Sequence, residues 1–285
     1  MNFTERLDNW QKDTDSLLCV GLDSDLAEIP NSIKKNNGGG AFHSISVFNK
    51  KIIHATLPFV CAYKLNLAFY LQEHVEGLTA LSNTIGFIRE KAPEMPIILD
   101  AKMGDINNSS EKYATFAFDR IKVDAATVNP FMGQESLDSF LKREDKGILV
   151  LCHTSNPGAK EFQDLRVVDG KNLRIFYEQV AHNVAHLWNR KNNCLLVVGA
   201  PFPYEVKRVR RIIGEKMPIF IPGIGAQQGD LEKALDAGLN KNGRGLIINS
   251  SRGIIFASKE KDFASVAGKK AKQLRDQINK TRKGL

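Results

Sequence analysis

The most informative stretch of the sequence is Ile97–Ile106, which reads IILDAKMGDI. Its three leading apolar residues are typical of the end of a buried strand. Because side chains alternate between the two faces of a strand, Asp100 and Lys102 are expected to share one face. The Met-Gly pair that follows should break the strand and direct Asp105 elsewhere. A carboxylate and an ammonium fixed at the mouth of an apolar strand indicate a site, although such pairs are also found as structural ion pairs.

Two other apolar runs also end in charged residues. One is Ala62–Asn66, which contains Lys64, and the other is Cys19–Asp23, which closes with the aspartate. Charged side chains at the ends of several separate parallel strands are typical of the active site of a barrel. The three runs together therefore predict one charged site at one end of a barrel.

The rest of the chain supports the same architecture. Most of its apolar runs are continuous rather than alternating, as in strands that are buried on both faces. Eight runs can be counted, namely Leu17–Leu22, Phe59–Leu65, Met95–Leu99, Val123–Val128, Gly147–Cys152, Cys194–Gly199, Pro218–Ile221 and Gly245–Ile248. Helices are expected between them, over Ser136–Lys142 and Leu173–Asn189. We therefore predict an α/β fold, a single (β/α)₈ TIM barrel over residues 1–285.

Glycine and polar residues mark two insertions. Asn31–Gly40 contains three consecutive glycines and is predicted to be a loop. Thr154–Lys171 is polar and contains a Pro-Gly pair, so it is predicted to be a long loop that follows the fifth strand on the catalytic face. Neither insertion resembles a domain boundary.

The net charge of +8 is concentrated at the C-terminus. The segment from Ser258 to Leu285 has nine Lys or Arg against three Asp or Glu and so carries +6 of that charge. We predict one basic, solvated helix over about residues 262–283. A nucleic-acid surface usually adds stacking aromatic residues or a known motif, and neither is present in the sequence. We therefore expect no nucleic-acid partner.

The remaining composition indicates a cytoplasmic protein. The sequence contains no apolar run of membrane-spanning length and no signal-peptide pattern, so no membrane partner is expected. All four cysteines (Cys19, Cys61, Cys152 and Cys194) fall within predicted strands. Cysteines in such positions are typical of small core residues in a reduced compartment.

The last two predicted strands are followed by segments suited to phosphate. Ile221–Gly229 is rich in glycine, and Ile248–Gly253 contains an arginine. In barrels the loops after strands seven and eight commonly bind phosphate through backbone N–H groups. Glycine lets the backbone approach an oxyanion closely, and arginine binds it bidentately.

These motifs resemble those of the orotidine 5′-phosphate decarboxylases, particularly the longer bacterial and protozoal type. The resemblance runs from about Leu17 to Phe256, and the Asp-x-Lys-x-x-Asp-Ile motif that begins at Asp100 is its most specific part. It implies a cofactor-free and metal-independent enzyme that forms homodimers with shared active sites. The implied reaction converts orotidine 5′-monophosphate to uridine 5′-monophosphate (UMP) and CO₂ in pyrimidine synthesis.

The resemblance also implies catalytic roles for four residues. Lys102 would donate the proton to the ring carbon that loses its carboxylate, and Asp100 would lie near that carboxylate. Lys64 and Asp105 would complete an alternating charge network, with Asp105 reaching into the site of the partner subunit.

Further residues are implied to bind the substrate. Ser109 stands where the family usually has threonine, and it keeps the hydroxyl that would contact the ribose. Asp23 and Asn66 would hold the ribose and nearby groups, and Ser155 would recognise the pyrimidine edge. The phosphate would be bound by Gln227, Arg252 and the backbone of Gly225 and Ala226.

Two other functions remain open at this point. A magnesium-dependent sugar-phosphate decarboxylase or aldolase of the same superfamily would have a similar motif on its third strand. A non-catalytic nucleotide or nucleic-acid binding protein would not need the complete charge network. The lysine that ends strand two and the loop that contains Ser155 favour the pyrimidine nucleotide.

Overall fold

A computed structural model of the chain describes residues 2–34, 40–224 and 230–284. Within these ranges eight parallel strands close into a barrel, and each pairs with the next barrel strand along the chain. Ten strands lie in these ranges, of which β6 and β7 form a separate two-stranded sheet and the other eight form the barrel. They are β1 (Leu18–Gly21), β2 (Ala62–Asn66), β3 (Ile97–Met103), β4 (Ala125–Val128), β5 (Gly147–His153), β6 (Arg166–Asp169), β7 (Asn172–Ile175), β8 (Cys194–Val198), β9 (Ile219–Pro222) and β10 (Leu246–Ser250). All eight apolar runs contribute barrel strands, so the predicted (β/α)₈ fold is confirmed.

Helices surround the barrel and alternate with its strands. They are α1 (Phe3–Asp13), α2 (Asn31–Lys34), α3 (Ala41–Thr56), α4 (Leu67–Leu71), α5 (His74–Lys91), α6 (Asn107–Thr115), α7 (Asp138–Leu141), α8 (Phe176–Asn183), α9 (Pro203–Ile213), α10 (Leu231–Gly238), α11 (Arg252–Ile255) and α12 (Phe263–Gly284). Short 3₁₀ turns occupy Leu57–Phe59, Pro130–Met132, Glu135–Leu137 and Pro157–Glu161, and π-helical turns occupy Phe116–Arg120 and Val184–Trp188.

The interior of the barrel is filled in layers. Inward-facing apolar side chains such as Ile98, Leu149 and Phe220 form a buried cluster with Phe3 and Leu7 of α1. Helix α1 therefore closes the N-terminal end of the barrel. The opposite end, where the strands finish, is left for a site.

The segment after β5 differs from its prediction. The helix predicted over Leu173–Asn189 begins at Phe176, because Asn172–Ile175 pairs antiparallel with Arg166–Asp169. Gly170 takes a positive φ of 60° in the two-residue loop between these strands, as hairpin loops favour. The predicted loop Thr154–Lys171 thus contains a 3₁₀ turn and the first strand of a hairpin.

Two smaller differences occur elsewhere. The helix predicted over Ser136–Lys142 divides into the 3₁₀ turn Glu135–Leu137 and the single turn of α7. The predicted loop Asn31–Gly40 begins with the helical turn α2, and residues 35–39 lie outside the described residues.

The basic C-terminal helix α12 packs against α3. Gly268 lies so close to α3 that a Cβ atom there would be 2.7 Å from the carbonyl oxygen of Ala55. Asn279 donates a hydrogen bond to the carbonyl of Asp15. The apolar face of α12 is buried, while most of its lysines face outward.

Candidate active site

A cavity of about 370 Å³ opens where the barrel strands end. Two residues further along the strands than this apolar layer, the inward-facing side chains are no longer all apolar. The cavity is lined there by Lys64, Asp100, Thr127, Leu151, Val197 and Asn249. Strands β2, β3, β4 and β10 thus supply charged and polar groups, and β5 and β8 supply apolar ones.

The charged half of the cavity is a connected network. Lys64 is buried and donates to the Asp23 carboxylate, and its Nζ lies 3.7 Å from Oδ2 of Asp100. Oδ1 of Asp100 accepts a hydrogen bond of 2.7 Å from Nζ of Lys102. The two lysines therefore flank one carboxylate, and the charged residues of the three strand ends lie together as predicted.

Neighbouring charges fix the ionisation of this network. Burial by itself would raise the pKa of the Asp100 carboxyl, but the ammonium groups of Lys64 and Lys102 outweigh it and lower that pKa below its usual value. Burial would also lower the pKa of Lys64, but Asp23 and Asp100 raise it. Asp100 is therefore ionised and Lys64 is protonated at neutral pH.

Strand β3 contains a bulge at Asp100 and Lys102. Leu99 pairs with Ala126 and Met103 pairs with Val128, so the three intervening residues of β3 stand opposite a single residue of β4. Lys102 adopts a positive φ of 51° within this bulge. Simple alternation correctly placed the two side chains together, but β3 continues to Met103 and is not a regular strand there.

The other half of the cavity is apolar. Leu151, Val197 and Phe220 line it, together with Pro222 and Ile224 from the end of β9. An apolar wall facing a charge network lowers the local dielectric constant. Electrostatic interactions at the network are strengthened as a result.

Several predicted binding residues lie at the rim. Asn66, Ser155 and Arg252 all line the cavity. The loop that carries Ser155 is held in place because the Thr154 N–H donates to Oε1 of Gln163 over 2.7 Å. Gly199 allows close packing there, since a Cβ atom at this position would be 2.7 Å from the Ser155 Cα.

Other predicted residues are not in the cavity. Asp105 is half-buried outside it, and its Oδ1 accepts the N–H of Ile106. Ser109 is exposed in the first turn of α6. Their predicted roles are therefore not fulfilled within one copy of the chain. Gly225, Ala226 and Gln227 lie outside the described residues.

Two polar residues within the strands that line the cavity were given no role by the sequence analysis. Thr127 is the polar residue in the buried run Ala125–Val128, and Asn249 occupies the inward position near the end of β10. Among the described residues, Oδ1 of Asn249 is buried and receives no hydrogen bond. A polar residue inside an otherwise apolar strand was the available signal for both, since buried polar groups require partners.

The polar groups that line the cavity are better suited to bind ammonium groups than a metal ion. Within residues 2–34, 40–224 and 230–284 there is no group of three His, Cys, Asp or Glu placed to bind a metal. The Asp100 carboxylate is instead bound by two lysines.

Comparison with known proteins identifies the family. The family model described as "Orotidine 5'-phosphate decarboxylase / HUMPS family" matches residues 16–265. The chain belongs to this family. A curated family member, the orotidine 5′-phosphate decarboxylase of Cupriavidus taiwanensis, is 47% identical over 285 residues, which cover 100% of both chains.

Solved structures of family members agree with this assignment. The OMP decarboxylase of Leishmania donovani is 36% identical with a TM-score of 0.82, and the match covers 99% of this chain and 99% of that one. The UMP synthase of the same organism is 38% identical with a TM-score of 0.84. That match covers 99% of this chain but 57% of the longer synthase chain.

Proposed function

We propose that the chain is an orotidine 5′-monophosphate decarboxylase, which releases CO₂ and forms UMP in pyrimidine synthesis. The observation that carries this proposal is the Lys64–Asp100–Lys102 network at the floor of the cavity. It places an ammonium where it can stabilise the negative charge of a carbanion as that charge develops. Family membership and full-length similarity to orotidine 5′-phosphate decarboxylases support the same activity.

The reaction breaks the bond between ring carbon C6 and the carboxylate carbon. The electron pair stays on C6, CO₂ leaves, and a proton moves from Nζ of Lys102 to C6. The ammonium stabilises the negative charge as it develops and then donates the proton. Two unit charges 4 Å apart attract by about 1 kcal/mol in water but about 4 kcal/mol at an effective dielectric constant of 20, so the apolar wall strengthens this effect.

The two lysines differ in access to solvent. The Lys102 side chain is 49% exposed in the open cavity, whereas that of Lys64 is 4% exposed. Lys102 can therefore regain a proton from solvent after each turnover. Lys64 is suited to hold Asp23 and Asp100 in place. The Asp100 carboxylate would face the substrate carboxylate, and their repulsion would favour loss of CO₂.

A homodimer with shared sites is supported by the surface around Asp105. Ile106 and Phe131, which follow the neighbouring strands β3 and β4, are 51% and 77% exposed. Met132 and Tyr113 add further exposed apolar area. Exposed apolar residues at the rim of a site are typical of a protein interface. We propose that a second copy covers this surface and receives Asp105 and Ser109 at its own cavity.

The cytoplasmic location of the enzyme and its lack of other partners stay predictions. No described helix is long and apolar enough to cross a bilayer. The four cysteines are buried free thiols, which suits the reduced cytoplasm. We expect neither a nucleic-acid partner nor a cofactor.

The activity is tested with a panel of two substrates. After exhaustive chelation, the purified protein should convert orotidine 5′-monophosphate to UMP and CO₂ in equal amounts, followed by the change in ring absorbance. A ketohexose phosphate supplied with Mg²⁺ should not be turned over. Magnesium-dependent turnover of the sugar phosphate, with none of the nucleotide, would move the chain to the sugar-phosphate branch of the family.

Arg252→Ala is expected to weaken binding of the substrate phosphate. Hydrogen bonds to charged groups contribute about 1.5–3 kcal/mol each, so kcat/KM for orotidine 5′-monophosphate should fall about 10²-fold. Turnover of orotidine, which lacks the phosphate, should not change. Arg211→Ala is the control, because Arg211 is an exposed arginine of α9 outside the cavity. Equal losses with both substrates would show that Arg252 is structural.

A further inference from the structure

The hydroxyl of Thr127 lies at the centre of the charged half of the cavity. Its Oγ1 accepts the backbone N–H groups of Ala101 at 2.9 Å and Lys102 at 2.8 Å. It donates its proton to Oδ1 of Asp100 over 2.9 Å. A hydroxyl has one proton and two acceptor sites, so its full capacity is used. Thr127 itself is 1% exposed.

These hydrogen bonds connect Thr127, Asp100 and Lys102 in a closed ring. Oδ1 of Asp100 accepts hydrogen bonds from both the Thr127 hydroxyl and Nζ of Lys102. The same hydroxyl holds the backbone of Lys102. The position of the ammonium relative to the carboxylate is therefore fixed from the side chain and from the main chain.

The bulge explains why a hydroxyl is needed there. Residues 100–102 of β3 stand opposite Thr127 alone, so regular pairing with β4 is interrupted. A lysine at positive φ is strained, and the conformation persists only where the surrounding structure holds it. The partly buried amides of Ala101 and Lys102 would lose their acceptor without the Thr127 hydroxyl, which is unfavourable.

We propose that Thr127 is a positioning residue for decarboxylation. Its hydroxyl holds the β3 bulge so that the Lys102 ammonium points at Asp100 and at the reacting carbon. The inference rests on the proposed function, because it assigns Thr127 to the same proton transfer. Thr127 acts through Lys102 and Asp100, so it should affect the chemical step rather than substrate affinity.

The test compares two substitutions of Thr127. Thr127→Val keeps the shape and removes the hydroxyl, and Thr127→Ser keeps the hydroxyl. Misplacement of a reacting group by about 1 Å costs about 10²-fold, so kcat of Thr127→Val should fall by that factor. KM and the affinity for UMP should stay within about twofold of the parent. Thr127→Ser should retain most of the parent kcat. Parental kcat in Thr127→Val, or equal losses in both variants, would overturn the proposal.

Thr56→Val provides a matched control. Thr56 is also buried, and its hydroxyl bonds to the Ile52 carbonyl and lies 2.8 Å from the Tyr63 hydroxyl, away from the cavity. It should lose stability without losing kcat. A similar loss of kcat in Thr56→Val would show that any buried hydroxyl has this effect.

Amide hydrogen exchange gives a readout that does not depend on the reaction. In the peptide that spans residues 97–106, exchange should be faster in Thr127→Val than in the parent or in Thr127→Ser. Unchanged exchange would contradict the proposal that the Thr127 hydroxyl holds the bulge, whatever the activity of Thr127→Val. Faster exchange in a protein that does not decarboxylate orotidine 5′-monophosphate would instead place the failure in the proposed function.

Discussion

Lys102→Ala is expected to lower kcat for orotidine 5′-monophosphate by at least about 10⁴-fold, because it removes both the stabilising charge and the proton donor. The protein should still fold, since the Lys102 side chain is half-exposed and Asp100 keeps its contact with Lys64. UMP should still bind, because binding through the phosphate and ribose does not require the ammonium. Steady-state kinetics together with UMP affinity and thermal unfolding would separate these effects.

Lys122→Ala is a suitable control for this substitution. Lys122 also adopts a positive φ, of 62°, and it lies outside the cavity. Any effect of replacing a lysine in the left-handed region should therefore appear in both variants. Turnover of Lys102→Ala within tenfold of the parent would contradict the assignment of the proton donor.

Asp105→Ala is expected to be nearly inactive alone, yet to restore activity when it is paired with Lys102→Ala. In a mixed dimer, one site would carry both substitutions and the other would carry neither. Random pairing after joint unfolding and refolding makes half of the dimers mixed, so activity should reach about a quarter of the parent value. Activity assays on the refolded mixture, with mixed dimers verified by native mass spectrometry, measure this directly.

The control for this experiment is the pair Asp100→Ala and Lys102→Ala. Both residues line the same cavity of one chain, so each mixed dimer would have a lesion in both of its sites. No recovery is expected. Absence of recovery in the Asp105→Ala pair as well, with mixed dimers present, would mean that Asp105 acts within its own chain.

The barrel was predictable from the sequence because its strands are buried on both faces. Continuous apolar runs such as Cys194–Gly199 have few alternative structures at that length. The hairpin of β6 and β7 was missed for the opposite reason. Val168 and Leu173 pair across it while both remain exposed, so burial gives no signal there. Leu173 and Ile175 of β7 were instead counted toward the helix that begins at Phe176, and β6 was assigned to the predicted loop.

The charged site was predictable for Asp23, Lys64, Asp100 and Lys102, because charges at strand ends must converge when parallel strands close into a barrel. The detailed arrangement was not. Alternation does not reveal that three residues of β3 stand opposite Thr127. This arrangement depends on which residues of β3 and β4 are hydrogen-bonded to each other. The local sequence of either strand does not determine that pairing.

A crystal structure of the chain with UMP bound would test both the role of Lys102 and the shared site. We expect the pyrimidine ring to lie against Leu151 and Val197, with C6 about 3–3.5 Å from Nζ of Lys102. We also expect the Arg252 guanidinium to contact the phosphate, and a second copy to place its Asp105 beside the network. UMP bound with C6 away from Lys102 would rule out Lys102 as the proton donor, and a cavity completed by one copy alone would rule out the shared site.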